Sequence, residues 1–276
     1  MKIGFIDYYL DEWHANNYPA WIKEASGGEA EVTYAFGLID SPLTGMTSAQ
    51  WCEKFGVTQC ATIEEVVEKS DALVVLSPDN CEMHEQLCQV PLRAGKPVYV
   101  DKTFAPDAAT ARRIFAIAEQ SGTPCWSSSA LRFAEEYKGI DPSRVKAVSC
   151  WGPFQYETYS IHQLEPLMMF MKAPARRVLY LKGEKWLSLA VEFTDGRTGT
   201  ITQFEDGSPF VTTVCCPDDN KMVTVESDFF AAFIREMVDF FRTREEKVPH
   251  EETINIMAVR EAGLKAQQRP GEWVAV

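Results

Sequence analysis

Basic residues are in short supply in this chain of 276 residues: 27 Lys and Arg face 40 Asp and Glu, a formal charge of -13. Nucleic acids and anionic membrane surfaces are held by cations that neutralise phosphates, so neither is expected as a partner. Long apolar runs are missing too. None approaches the roughly 18 residues that a membrane-spanning helix needs. The opening MKIGFIDYYLDEW has no basic start, long apolar stretch or small-residue cleavage site, which leads to the expectation of a cytoplasmic protein without a signal peptide. Eight cysteines are present but no C-x-x-C pair, and Cys215 and Cys216, neighbours on a strand-like run, would point to opposite faces. They read as reduced thiols. Asp7, Asp11, Glu12 and His14 lie close in sequence on an aromatic-rich turn but without known ligand spacing, so no metal is expected.

With 46% hydrophobic residues, the chain can bury one large core or two ordinary ones. Its first half alternates two periodicities. Short apolar strand-like runs at Lys2 to Ile6, Ala30 to Phe36, Ala72 to Leu76, Pro97 to Val100 and Pro124 to Ser127 are separated by helical stretches. The clearest helix opens at Pro106-Asp107, places Ala111, Ile114, Phe115 and Ala118 on one face, and stops at Gly122. Such alternation predicts a parallel sheet. From about Arg144 the runs lengthen, and Asp195-Gly196 reads as a hairpin turn between two of them. Two amphipathic helices, Asp228 to Thr243 and Glu252 to Gln267, and a strand-like GEWVAV tail close the chain. The expected architecture is α/β: a Rossmann-like parallel-sheet domain over 1–123, then an α+β domain over 124–276 with a large open mixed or antiparallel sheet. The C-terminal helix is the element that could pack back on the first domain. Strands such as LSLAVEF and FVTTVCC carry apolar residues on both parities, which points to a homo-oligomer formed through the second sheet.

The stretch from Asp71 to Ala105 holds four elements in fixed order: Ser77-Pro78 after a strand, His84 at a helix start, Ala94-Gly95-Lys96 at a turn, and Asp101-Lys102-Thr103 at the end of the next strand. Together they resemble the Gfo/Idh/MocA oxidoreductase family, whose corresponding strand ends in Glu-Lys-Pro. Arg132-Phe133, the helix SIHQLEPLMM from Ser160 to Met169 and the closing helical region are similar to the same family, so the resemblance covers nearly the whole chain. It implies NAD or NADP as cofactor and a sugar-like or cyclitol-like hydroxyl as substrate. It also implies that Lys102 and His162 share the acid/base work as a secondary alcohol loses a proton and a hydride. On the same ground Ser77, Pro78, Asn80 and Asp101 are expected at the cofactor, and Arg132, Tyr156, Glu157 and Thr158 at the substrate.

The departures are concentrated at the first turn. Where that family has a Gly-x-Gly-x-x-Gly/Ala turn, this chain has Asp7, Tyr9 and Glu12. At an effective dielectric of about 20, a carboxylate about 4 Å from a phosphate charge costs on the order of 4 kcal/mol. The second strand ends in Phe36-Gly37 without the acid that binds an adenosine ribose, unless Asp40 folds back. Two readings follow. One is an atypical NAD(P)-dependent oxidoreductase, which the retained Lys102, His162 and Ser-Pro loop favour. The other is a relative without dinucleotide binding that serves as a non-redox sugar-binding or regulatory subunit. Lyase or isomerase chemistry by the same lysine and histidine lies between them.

Overall fold

The computed structural model describes residues 1–276, and the chain divides into two compact units. Residues 1–128 and 233–250 form the first, and 129–232 with 251–276 the second.

The first unit contains β1 (Lys2–Asp7), α1 (Trp13–Ala25), β2 (Glu31–Gly37), α2 (Ser48–Phe55), β3 (Thr58–Gln59), α3 (Ile63–Lys69), β4 (Ala72–Val75), α4 (His84–Leu87), β5 (Val98–Val100), α5 (Ala108–Ser121) and β6 (Cys125–Trp126). The six strands are all parallel, in the order β3-β2-β1-β4-β5-β6. Strand order reverses beside β1, and open α/β sheets place ligands outside the carboxyl ends of strands at such a switch point. The central strands are short and apolar because helices cover both faces: Ile3, Phe5, Leu73, Val74, Val98 and Val100 are fully buried. Gly4 lets α3 approach β1, since a Cβ there would lie 2.4 Å from both Val66 and Ser70 side-chain atoms. Helix α5 begins at Asp107, whose side chain accepts from the Thr110 amide, and ends at Gly122 with φ 61°.

In the second unit, β7 (Ala147–Pro153), α6 (Tyr156–Met171), β8 (Ala175–Lys182), β9 (Trp186–Phe193), β10 (Thr198–Phe204), β11 (Val211–Cys215) and β12 (Asn220–Thr224) come first, followed in the chain by α7 (Phe229–Thr243), α8 (His250–Ala266) and β13 (Trp273–Ala275). The sheet order is β12-β11-β7-β10-β9-β8-β13. It is mixed, because β10 runs parallel to β7 while the other pairs are antiparallel. The expected hairpin turn is at Gly196, with φ 83°. Glycines again admit a close helix: a Cβ at Gly199 would lie 2.4 Å from Leu167 of α6.

Two differences from the sequence reading have physical causes. Cys125–Trp126 pairs with β5, so the first unit continues to residue 128 rather than ending at 123. The C-terminal element that joins the first unit is most of the penultimate helix α7, where Phe233 packs on Tyr18, Tyr99 and Trp126, while the last helix lies in the second unit. The face of the second sheet away from its core mixes hydroxyls with large apolar side chains: Thr200 donates to Ser149 at 2.8 Å and Thr202 to Ser188 at 3.1 Å, while Leu181, Met222 and Trp273 are exposed. Trp151 and Trp186 stand exposed on the strands of that sheet. No helix is long and apolar enough to cross a membrane.

Gly263 of α8 faces the buried ring of Tyr156, whose hydroxyl donates to Val259 O at 3.3 Å; a Cβ at 263 would come within 1.9 Å of that hydroxyl. Gly263→Ala is expected to destabilise the protein by about 1–3 kcal/mol through overpacking, and Gly263→Ala combined with Tyr156→Phe by less, as read by denaturant melts.

Candidate functional site

In the first unit, the chain leaves β1 at Asp7, a residue 1% exposed whose two carboxyl oxygens have no hydrogen-bond partner. Burial, and then the neighbouring Glu12 and Asp101 carboxyls, push its pKa well above the usual range against the nearby Tyr8 and Tyr9 amides, which favours its protonated form. Five residues later Glu12 is the N-cap of α1. Its carboxyl accepts from the His14 amide at 2.7 Å and from the Ala15 amide. Burial raises Glu12 to about 8, with the two amides opposing.

Side chains also fill the space between β1 and β2. Leu10 is 2% exposed and packs over Gly37, where a Cβ would meet Ser48 Oγ at 2.5 Å and Leu10 at 3.2 Å. Backbone bonds from Leu38 to Asp7 O and from Ile39 to Tyr8 O prolong the pairing past the strand ends. Asp11 then accepts from Thr44 at 2.6 Å and Asn16 at 3.0 Å, which ties the loop after β2 to the turn. Asp40 remains exposed and does not fold back.

At the end of β5, Asp101 is fully buried and bonded to His14 Nδ1. Burial pushes the His14 imidazole down, so the neutral ring donates its Nδ1 proton to a charged Asp101. Burial alone would raise Asp101, but the His14 bond and the charge and amide of Lys102 outweigh it and hold this carboxyl below its usual value. The Lys102 amide donates to Asp101 Oδ1 at 2.8 Å, the Lys102–Thr103 peptide bond is cis, and the half-buried lysine acts electrostatically on Glu12, His14 and Asp101. Asp101, expected at the cofactor, is thus an internal anchor with no exposed surface. Ser77 is buried with φ 95°, and its hydroxyl donates to Asn80 O at 3.1 Å; Pro78 and Asn80 are half-buried. His84 ties this loop down, its ring nitrogens 2.7 Å from Leu76 O and 2.9 Å from Phe104 O, and burial keeps it neutral so that one nitrogen donates.

In the second unit, His162 of α6 is half-buried, with Nδ1 2.7 Å from Ser129 Oγ and its ring beside Tyr159 and Phe210. Ser129 is fixed in turn, its amide donating to Glu165 Oε1 at 3.1 Å. Arg132, expected at the substrate, has its Nε 2.8 Å from Glu165 Oε2 and an Nη on Glu252, while Lys172 donates to the other Glu252 oxygen at 2.8 Å. It is a buried ion-pair centre, only 8% exposed. Tyr156 is a core residue, fully buried, because the side of α6 that carries it faces α8. Of the substrate group, only Glu157 and Thr158, both exposed at the start of α6, present side chains to solvent.

The residues that sequence reasoning missed are Leu10, His14, Ser129 and Glu165. Glutamate is not among the favoured N-cap types, so nothing marked Glu12 as the cap of α1 rather than an intruder in a glycine turn.

Set beside known proteins, the fold defines the class first. Scyllo-inositol dehydrogenase from Lactobacillus casei, solved with bound cofactor NAD(H) and scyllo-inositol, is 13% identical with a TM-score of 0.80, over 99% of this chain and 98% of that one. A probable dehydrogenase from Thermotoga maritima is 13% identical with a TM-score of 0.78, over 100% and 98%. GenD2 from gentamicin A biosynthesis, in complex with NAD, is 13% identical with a TM-score of 0.76, over 100% and 96%. At such identities the likeness shows the fold. In sequence, residues 35–129 match the model described as oxidoreductase family, NAD-binding Rossmann fold, so the resemblance to Gfo/Idh/MocA oxidoreductases is shown for that segment. No curated protein matches the chain. The matched segment begins within β2 and leaves out the β1–α1 turn.

That turn does not fit a dinucleotide held in the usual manner. A pyrophosphate needs free amides at the first helix, and Glu12 already takes those of His14 and Ala15. The space beside Gly37, where an adenosine ribose would meet the second strand, is filled by Leu10 and Ser48.

Because Glu12 binds its proton more tightly in the folded chain, at about 8 against 4.5, its contribution to stability is complete below pH about 4.5 and is lost as pH rises through 8. Thermal melts between pH 4.5 and 8 are expected to fall more steeply for the unaltered chain than for Glu12→Gln; parallel slopes would show that Glu12 is ionised throughout.

Proposed function

We propose that this protein is a non-redox, small-molecule-binding member of an oxidoreductase fold, recognising a sugar-like or cyclitol-like polyol without a dinucleotide gripped at α1. The observation that carries this reading is the Glu12 carboxyl on the first amides of α1, which gives the helix an internal occupant where an anionic cofactor would sit. In this reading Lys102 and His162 act as hydrogen-bonding groups for hydroxyls. Glu157 and Thr158 are the exposed positions of α6 available to a polyol.

A second reading rests on a different observation. Lys102 stays at the carboxyl end of β5, the buried Ser77 loop stays at the end of β4, and His162 is oriented by Ser129, as an NAD(P)-dependent oxidoreductase acting on a sugar or cyclitol hydroxyl would require. In that case Lys102 would stabilise the developing alkoxide and His162 would carry its proton.

Calorimetric titration of the folded protein with NADH and NADPH separates the two. The first reading expects no saturable heat up to millimolar dinucleotide, and retention of polyol binding. Micromolar binding that is lost in Lys102→Ala would overturn it in favour of hydride transfer.

We also propose that two or more copies associate through the face of the second sheet that carries Thr200, Trp151 and Trp186, since its exposed apolar side chains gain by burial while two chains of charge -13 repel elsewhere. Sedimentation is expected to show an oligomer for the unaltered chain and a monomer for Thr200→Arg; a monomeric unaltered chain would refute the association.

A further inference from the structure

The second unit holds a cavity of about 390 Å³ with no part in the polyol reading. That volume lies in the range of roughly 300–1,000 Å³ usual for small-molecule sites. Its walls come from the turn at 142–144, the start of β7, the end of α6 and the hairpin between β9 and β10. Lys146, Lys172 and Arg197 line it and no acidic residue does, although acids outnumber bases 40 to 27 along the chain.

Arg197 is built into the wall. Its Nη1 donates to Val145 O at 2.7 Å, its Nε to Asp195 at 2.8 Å and its Nη2 to Met171 O. The guanidinium therefore offsets the negative partial charge at the carbonyl end of α6, which would otherwise repel an anion. Lys172 sits at the C-cap of that helix with φ 47°, and it donates to Glu252, which Arg132 shares. An ammonium has three donors, so this bond leaves capacity for a ligand. Lys146 is exposed at the start of β7. Counting the linked groups, four cations (Arg132, Lys146, Lys172, Arg197) balance four carboxylates (Glu165, Glu252, Asp195 and Asp141, which accepts from the Ser143 amide), so the positive character of the cavity lies in the three cations that line it.

We propose that this cavity binds a small phosphate ester, with the Lys146 and Lys172 ammonium groups on the phosphate. Carboxylates are best matched by an arginine fork, and the Arg197 fork is committed to backbone carbonyls and Asp195; lysine holds phosphate as a point charge. The cavity volume leaves room beside the phosphate for the organic part, and Ser143 adds a hydroxyl to the lining.

The test is calorimetric titration of the full chain at low salt with glucose 6-phosphate, inorganic phosphate and, as an uncharged control, glucose. Saturable binding of the ester is expected, tighter than that of the free ion, with glucose silent in this site. Loss of one charged hydrogen bond should weaken it by about tenfold or more in Lys146→Ala, which leaves the buried ion pairs intact and the melting temperature unchanged. Lys172→Gln should weaken it comparably, with folding verified by its own melt. Absence of saturable heat, or binding that Lys146→Ala leaves unaltered, would overturn the site. Equal affinity for the free ion and the ester would overturn the assignment to an ester.

Discussion

The N-terminus of α1 has one set of amides without a partner inside the helix, and the first unit is organised around which acceptor takes them. In this chain the occupant is covalently attached: Glu12 accepts from the amides of His14 and Ala15. A helix N-terminus binds phosphate through its free amides, and satisfying them internally removes the hydrogen bonds that a phosphate would need. The rest of the turn is consistent with that choice. Leu10 covers Gly37, Asp11 fastens the loop after β2, and burial shifts the Asp7 carboxyl toward its protonated form. The repulsion expected from a row of carboxylates is thereby reduced by protonation, while the steric and hydrogen-bonding obstacles to a pyrophosphate remain.

The second unit has its own ordering device, and it is also ionic. Arg132 is held between Glu165 and Glu252, and Glu165 additionally receives the Ser129 amide. Ser129 in turn contacts His162 Nδ1. The guanidinium thus acts on the histidine at one remove, through a carboxylate and a serine. Removing one partner from such a buried network leaves a charge without compensation, which typically costs about 3–5 kcal/mol. The same residue type that would clamp a substrate carboxylate is here required by the interior.

The sheet architecture was legible because burial writes itself into sequence. Fully covered parallel strands read as short apolar runs, and Ile3, Phe5, Val74 and Val100 are buried as those runs imply. The hairpin at Gly196 and the terminal strand were equally plain. The site was less legible for two physical reasons. Hydrogen bonds between residues distant in the chain, such as His14 to Asp101 and Ser129 to His162, leave no periodic trace. And a glutamate that caps a helix looks, in sequence, like a glutamate that obstructs one. Tyr156 and Arg132 were misplaced because a family pattern identifies a helix and its neighbourhood but not which side of the helix turns inward.

Acidic residues outnumber basic ones in this chain, yet many of the acids are not solvent-facing charge. Glu12 is raised to about 8 and burial favours the protonated form of Asp7, Asp101 answers His14 and Lys102, and Glu165 and Glu252 surround Arg132. All of these carboxyls except Asp7 meet a backbone amide, an imidazole or a guanidinium that an external ligand would otherwise need. Seen this way, the lost glycine turn and the buried ion-pair centre express one tendency, the replacement of ligand-facing donors by internal acceptors. What faces a small molecule is a shorter set of groups: Lys102, His162 with Ser129 behind it, and the lysines at the end of α6 and the start of β7.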